Sequence, residues 1–144
     1  MIYLDASYIL RLYFEDPGWE AVRALAAKAS VACSLHGRAE VIAAVHRKFR
    51  ENVLAAGTFQ QVLDQFQLDC DSGAYRWLPL SPSVIGRITD TYRRLPPSVF
   101  LRAADALHLA VAAENQFREI YSNDKRLLEA SGHFAIKGVN ILDA

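Results

Sequence analysis

Residues 1–5 read Met1-Ile2-Tyr3-Leu4-Asp5, a short apolar run closed by a carboxylate. Residues 120–124 repeat the device as Ile120-Tyr121-Ser122-Asn123-Asp124. Each reads as a buried strand that ends on an acid, and helical patterns fill the chain between them. Ala6 to Glu15 predicts a helix, stopped by Asp16-Pro17-Gly18. Trp19 to Ala29 predicts a second, with Trp19, Val22, Leu25 and Ala26 on one face. Val31 to Ser34 is a bounded apolar run of strand type, and a long helix follows from about Arg38 to Leu54. Thr58, with Gln61 three residues on, forms a capping box for a helix ending near Leu68. Tyr75 to Leu80 alternates like a strand, ended early by Pro79. Ser81-Pro82 starts a helix that runs to Leu95, and Pro96-Pro97 breaks it. Leu101 to Glu114 is helical, Glu119 to Ser122 strand-like, Asp124 to Ala130 helical and Gly138 to Leu142 a last strand. Strands separated by helices imply right-handed crossovers and a parallel sheet covered on both faces, so the fold class is α/β.

Length and composition bound the rest. A chain of 144 residues is expected to form a single domain over 1–144, with enough core to need no staples. An apolar content of 52% argues against disorder. Formal net charge is zero, from 16 basic and 16 acidic residues, which argues against a strong polyanion binder on average. Two basic groups stand out: Arg47, Lys48 and Arg50, and Arg87, Arg93, Arg94 and Arg102. Each is either a solvated helix face or a phosphate contact. Cys33 and Cys70 have no zinc-ligand spacing and read as small core residues of a reducing, cytoplasmic protein. No stretch approaches the roughly 20 apolar residues needed to span a bilayer, and no signal peptide opens the chain.

Four acids sit in segments that are otherwise apolar or small. Asp5 and Asp124 close strands, Glu40 opens the helical run Ala39 to Val45, and Asp105 lies early in the run Leu101 to Ala113. Burying a carboxylate without a partner costs on the order of several kcal/mol, so such acids need a reason. In open α/β sheets ligands bind at the carboxyl ends of the strands. Asp5 and Asp124 belong to that edge, Glu40 is within reach of it, and a helix start favours the charge of Asp105. One divalent cation shared among the four would account for them. Carboxylates 4 Å apart repel by about 4 kcal/mol at an effective dielectric near 20. Mg²⁺ or Mn²⁺ relieves this with oxygen ligands and leaves positions for a substrate phosphate. Such an ion acidifies water and neutralises a phosphoryl transition state, so a phosphodiester is the natural substrate.

At these residues the chain resembles the PIN-domain family and, within it, the VapC-type toxins of bacterial and archaeal toxin–antitoxin pairs. The likeness covers essentially the whole chain. It rests on Leu4-Asp5-Ala6-Ser7, on Arg38-Ala39-Glu40-Val41, and above all on Asp105-Ala106-Leu107-His108-Leu109-Ala110 and Ser122-Asn123-Asp124-Lys125-Arg126-Leu127. His36-Gly37 replaces the Ser or Thr cap common before the acidic helix, and Ser122 stands where Thr is commoner. The resemblance implies a three-layer sandwich with a central, mostly parallel sheet of about five strands. It implies a metal-dependent endoribonuclease with Asp5, Glu40, Asp105 and Asp124 as catalytic and metal-binding residues. It narrows the substrate to RNA, and analogy with two-metal nucleases gives 5′-phosphate and 3′-hydroxyl ends. It also implies a cognate antitoxin and a homodimer.

Bland readings stand beside these. Asp5, Asp105 and Asp124 could simply cap strands or helices, and Glu40 could be a capping-box acid. Ser7 and Ser122 either hydrogen-bond ligating carboxylates or, for Ser7, cap a helix. Asn123 either orients Asp124 and the scissile phosphate or tolerates a turn. His36 and Glu40 have i, i+4 spacing, but no second pair completes a zinc site. His108 reads as a packed, hydrogen-bonded histidine. Tyr8, Leu12, Tyr13 and Phe14 read as core or dimer interface. The competing functional readings are a non-toxin acid-cluster nuclease and a catalytically silent metal-binding interaction module.

Overall fold

The computed structural model describes residues 1–142; the last two of the expected span 1–144 lie outside the described residues. Strand β1 (Ile2–Tyr3) leads to α1 (Ala6–Leu10) and α2 (Trp19–Ala26). Strand β2 (Val31–Ser34), α3 (Leu35–Arg50), α4 (Ala56–Asp71) and β3 (Tyr75–Leu78) follow. Then come α5 (Pro82–Arg94), α6 (Ala103–Glu114), β4 (Glu119–Tyr121), α7 (Lys125–Ala130), a 3-10 turn (Ser131–Phe134) and β5 (Lys137–Val139).

All five strands are parallel. β1, β2 and β3 form one sheet in that order, with Tyr3 opposite Ala32 and Ser34 opposite Leu78. β4 and β5 form a second pair, with Ile120 opposite Gly138. A single parallel bridge, Leu4 to Tyr121, joins the two, and the Asp5 N–H donates to the Tyr121 carbonyl at 3.0 Å. The expected five-stranded sheet is therefore present but split, because β1 is too short for more than one bridge. That bridge sets Asp5 beside the end of β4, two residues before Asn123.

Every residue of β2 is buried, as a strand covered on both faces must be. Tyr3, Leu4, Ile9, Val41, Val45, Leu109 and Ile120 are fully buried and knit β1, α1, α3, α6 and β4 into one core. α6 is buried nearly all round, through Ala106, Leu109, Ala110, Val111 and Ala112. Small side chains let it run close under the sheet. Among the described residues no helix is long and apolar enough to cross a membrane.

Several boundaries differ from the sequence expectation. α1 ends at Leu10 rather than Glu15, since the chain tightens into i→i−3 bonds from Leu12 N–H to Ile9 and from Tyr13 N–H to Leu10. α3 begins at Leu35, so His36-Gly37 lies inside the helix and Glu40 one turn further in than expected. Ser34 holds the cap position, but its hydroxyl bonds His36 Nδ1 at 2.6 Å rather than the backbone. α4 starts at Ala56, and Thr58 is not its cap. Phe59 stacks on Phe49 (centroids 4.7 Å apart, planes 8° apart), and its N–H reaches back to Ala55 at 2.9 Å, closing the first turn early. Ser81 does cap α5 as its sequence predicts.

Candidate functional site

Asp5, Glu40, Asp105 and Asp124 line one cavity of about 340 Å³, with Ala6, Ser7, Arg102, Ala104, His108 and Asn123. Four segments thus bring all the predicted acids to the carboxyl edge of the sheet. A larger groove of about 580 Å³ lies elsewhere, between α5 and the 3-10 turn, and its Arg87 is already paired with Glu114 at 2.7 Å.

Asp5 is buried and is the N-cap of α1. Its Oδ1 accepts from Ser7 Oγ at 2.6 Å and from the Tyr8 N–H at 3.1 Å. Its Oδ2 accepts from the buried hydroxyl of Ser122. Burial nevertheless holds its pKa above the usual carboxylate range, against the lowering pull of His108 and of these donors. Asp124 caps α7, its Oδ1 accepting from the N–H groups of Arg126 (2.9 Å) and Leu127 (3.3 Å). The Asp124 N–H donates to Ser122 Oγ at 2.9 Å. The Ser122 hydroxyl therefore links the Asp5 carboxylate to the Asp124 backbone, and Ser7 and Ser122 both bond the Asp5 carboxylate. Asn123 is exposed at the cavity rim.

Asp105 sits in the first turn of α6 and is buried. Burial, then the charge of Asp124, raises its pKa. The cluster thus lacks positive charge, and one side chain supplies part of it. Arg102 Nε donates to Asp105 Oδ2 at 3.1 Å, and Nη2 to Asp124 Oδ2 at 2.7 Å. Arg102 was legible only as one member of a basic group. Three other members of the two groups are engaged elsewhere: Arg47 with Glu51 at 2.9 Å, Lys48 with Asp16 at 2.8 Å, and Arg87 with Glu114.

Glu40 enters from the second turn of α3. Its Oε1 lies 2.5 Å from His108 Nε2 and 3.4 Å from His36 Nε2. Burial raises its pKa, but His108, His36 and Arg102 together outweigh that and hold it below the usual range. His108 is fully enclosed, with Nδ1 2.7 Å from the Tyr3 hydroxyl, which in turn accepts from the Ser34 N–H at 3.0 Å. Burial alone would lower its pKa, yet Cys33 and Glu40 push it up to about 10. Burial raises the Cys33 pKa too and keeps it a neutral thiol, so Glu40 is the anion that matters. His36 has the opposite fate: burial, then the charge of His108, lowers it to about 4. Gly37 allows this contact. A Cβ there would collide with Cys33 Sγ and stand 3.1 Å from His108 Cε1. The packed histidine read from sequence is thus real, but it packs onto a site residue; only the fold could reveal that.

The donor set fits a hard divalent cation. Carboxylate oxygens from Asp5, Asp105, Asp124 and Glu40 line one cavity, and Asp5 and Asp105 are raised in pKa, chiefly by burial. A guanidinium already stands where a cation would relieve Asp105 and Asp124.

The family model described as PIN domain matches residues 2–132. No curated protein matches the sequence. Among solved structures, the chain is similar to the crystal structure of FitAcB from Neisseria gonorrhoeae, with 20% identity, a TM-score of 0.75 and 97% of each chain covered. It is also similar to FitAB bound to an IR36 DNA fragment, at 17% identity and TM-score 0.72, covering 99% of this chain and 96% of that one. A third is VapBC2 from Rickettsia felis bound to a DNA fragment from their promoter, at 16% identity and TM-score 0.68, covering 97% and 98%. At these identities the likeness is one of fold.

Proposed function

The chain belongs to the PIN-domain family, and from that premise we propose that it is a Mg²⁺- or Mn²⁺-dependent endoribonuclease, the toxin of a toxin–antitoxin pair. The observation that carries this reading is the meeting of Asp5, Glu40, Asp105 and Asp124 around one cavity. Asp5, Asp105 and Asp124 would hold the ion, with Glu40 at its edge. When bound, the ion supplies Lewis acidity toward a phosphodiester and acidifies the attacking water.

The chain's own residues do the rest. Ser7, Ser122 and the Tyr8 N–H fix the rotamer of Asp5, so its oxygens are aimed before any ligand arrives. His108 fixes Glu40, whose carboxylate stays ionised at neutral pH and can take a proton from water. Arg102, about half exposed, is placed to exchange its carboxylate contacts for a substrate phosphate once positive charge fills the cluster. RNA is the expected strand, leaving 5′-phosphate and 3′-hydroxyl ends.

A protein partner completes the reading. The similar structures include FitAB and VapBC2, each bound to a DNA fragment. An antitoxin segment with an Arg or Lys of its own would compete with Arg102 for the acids, and a long wrapped contact would offset the cost of ordering it. The test is cleavage of RNA by the purified chain. Activity with Mg²⁺ or Mn²⁺ that stops with chelator supports the reading. Full activity in excess chelator, or 2′,3′-cyclic phosphate ends, sinks the mechanism. Equal growth when the chain is expressed alone and with its neighbouring gene product removes the toxin role.

A further inference from the structure

We propose that His36, His108 and Glu40 form a second metal site, selective for a transition metal of the Zn²⁺ class and sharing only Glu40 with the carboxylate cluster. Both imidazoles turn Nε2 toward the same Glu40 oxygen, at 3.4 Å from His36 and 2.5 Å from His108. The donor atoms of the three residues all lie within 4.8 Å of one another. The two ring centroids are 4.2 Å apart. Ligand oxygens and nitrogens about 3.3 Å apart are what tetrahedral bonds of about 2.0–2.1 Å require. The His36–Glu40 edge already has that length, and the His108–Glu40 edge must open by less than about 1 Å.

The second observation is the setting of the rings. Each Nδ1 is held by a hydroxyl, His36 by Ser34 Oγ at 2.6 Å and His108 by Tyr3 Oη at 2.7 Å. Metal-ligating histidines are oriented in this way through the nitrogen that does not bind the ion. Ser34 leaves its helix uncapped to make this contact. Gly37 removes the Cβ that would hold α3 away from His108. Two imidazoles and one carboxylate suit Zn²⁺ and its neighbours and not Mg²⁺, which prefers oxygen.

Without metal, His36 Nε2 faces the Ala104 carbonyl at 3.0 Å, and His108 Nε2 faces Glu40. On binding, the His36 proton moves to Nδ1, where Ser34 Oγ accepts it. His108 keeps its Nδ1 proton on Tyr3 and releases the Nε2 proton to solvent. Glu40 is shared with the carboxylate cluster, so an ion here draws one acid away from it.

Co²⁺, titrated into the whole chain and followed by visible absorption, is the probe. The expected result is one Co²⁺ with the intense bands of a four-coordinate ion, displaced by Zn²⁺ and not by excess Mg²⁺. His36→Ala and the milder His36→Gln, each checked for fold by circular dichroism, should lower Co²⁺ affinity about 100-fold. Calorimetry should show their Mn²⁺ affinity changed by far less than their Co²⁺ affinity, and Asp124→Asn should retain the Co²⁺ spectrum. A six-coordinate spectrum, displacement by Mg²⁺, or loss of Co²⁺ in Asp124→Asn but not in the His36 variants would overturn the site.

Discussion

Arg102 reaches Asp124 with Nη2 at 2.7 Å from Oδ2, while its Nε holds Asp105 at 3.1 Å. One guanidinium therefore serves as internal counterion for two of the acids proposed to bind metal. Metal and Arg102 compete for the same oxygens. Arg102→Gln should raise Mn²⁺ affinity by roughly two- to five-fold, the modest scale expected of a half-exposed ion pair. Calorimetric titration checks this. Weaker Mn²⁺ binding in the variant would mean that Arg102 orders the site rather than blocking it.

Asp5→Asn should abolish RNA cleavage and raise the melting temperature in metal-free buffer. Burial raises the Asp5 pKa, so its contribution to stability is fully present only when it is protonated. That contribution is lost as pH rises from the free carboxylate value through the raised one, and at neutral pH the ionised group opposes folding. Asn keeps the shape and removes the charge. Its amide can donate to Ser122 Oγ, whose proton then turns elsewhere. Calorimetry without metal and single-turnover cleavage with Mg²⁺ test both halves.

His108 makes stability depend on alkaline pH. Tyr3, Cys33, His36 and Glu40 face its ring, and its pKa is pushed up to about 10. The stabilisation is fully present below the free imidazole value of about 6.5. It is lost as pH rises through about 10. Urea denaturation across that window should show a fall in stability that His108→Ala flattens. The variant should itself lose about 1–3 kcal/mol at neutral pH, from broken hydrogen bonds and a small void.

Gly37→Ala tests the close approach of α3 to α6. The added methyl meets Cys33 Sγ and His108 Cε1 and must push the helix outward. A loss of about 1–3 kcal/mol is expected, as for overpacking elsewhere. Unchanged stability in denaturant would show that the contact relaxes freely.

A homodimer is expected, as the resemblance implies. α1 and α3 pack on each other, with Tyr8, Ile9, Val41 and Val45 buried between them and the sheet. Large apolar side chains exposed on helices include Leu35 and Ile42 on α3, Leu68 on α4, and Ile85 and Tyr92 on α5. Light scattering at about 50 μM should give twice the chain mass, a range where modest interfaces already hold. Ile42→Glu and Ile85→Glu, measured separately, show which helix carries the contact.

Strand ends, helix tracts and the four acids were legible in the sequence because each depends on neighbours within a few residues. An apolar run closed by Asp reads as a strand end wherever it lies, and β2 falls on residues 31–34 as its pattern predicts. The α/β topology permitted the convergence of the acids, since parallel strands present their carboxyl ends on one edge, but only the fold brings Glu40 and Asp105 to the same cavity. Helix starts were less legible. Ser34 spends its hydroxyl on His36, and Phe59 is drawn back by its stack on Phe49. The partners of the acids lay wholly beyond local pattern. Glu40 is bonded to His108 across 68 residues, and Asp5 to Ser122 across 117. Arg102 was one arginine among several until the fold set it between Asp105 and Asp124. Sequence spacing specifies which face a side chain occupies on its own helix. The meeting of two such faces depends on how closely the helices pack, and here that distance rests on a glycine against a histidine.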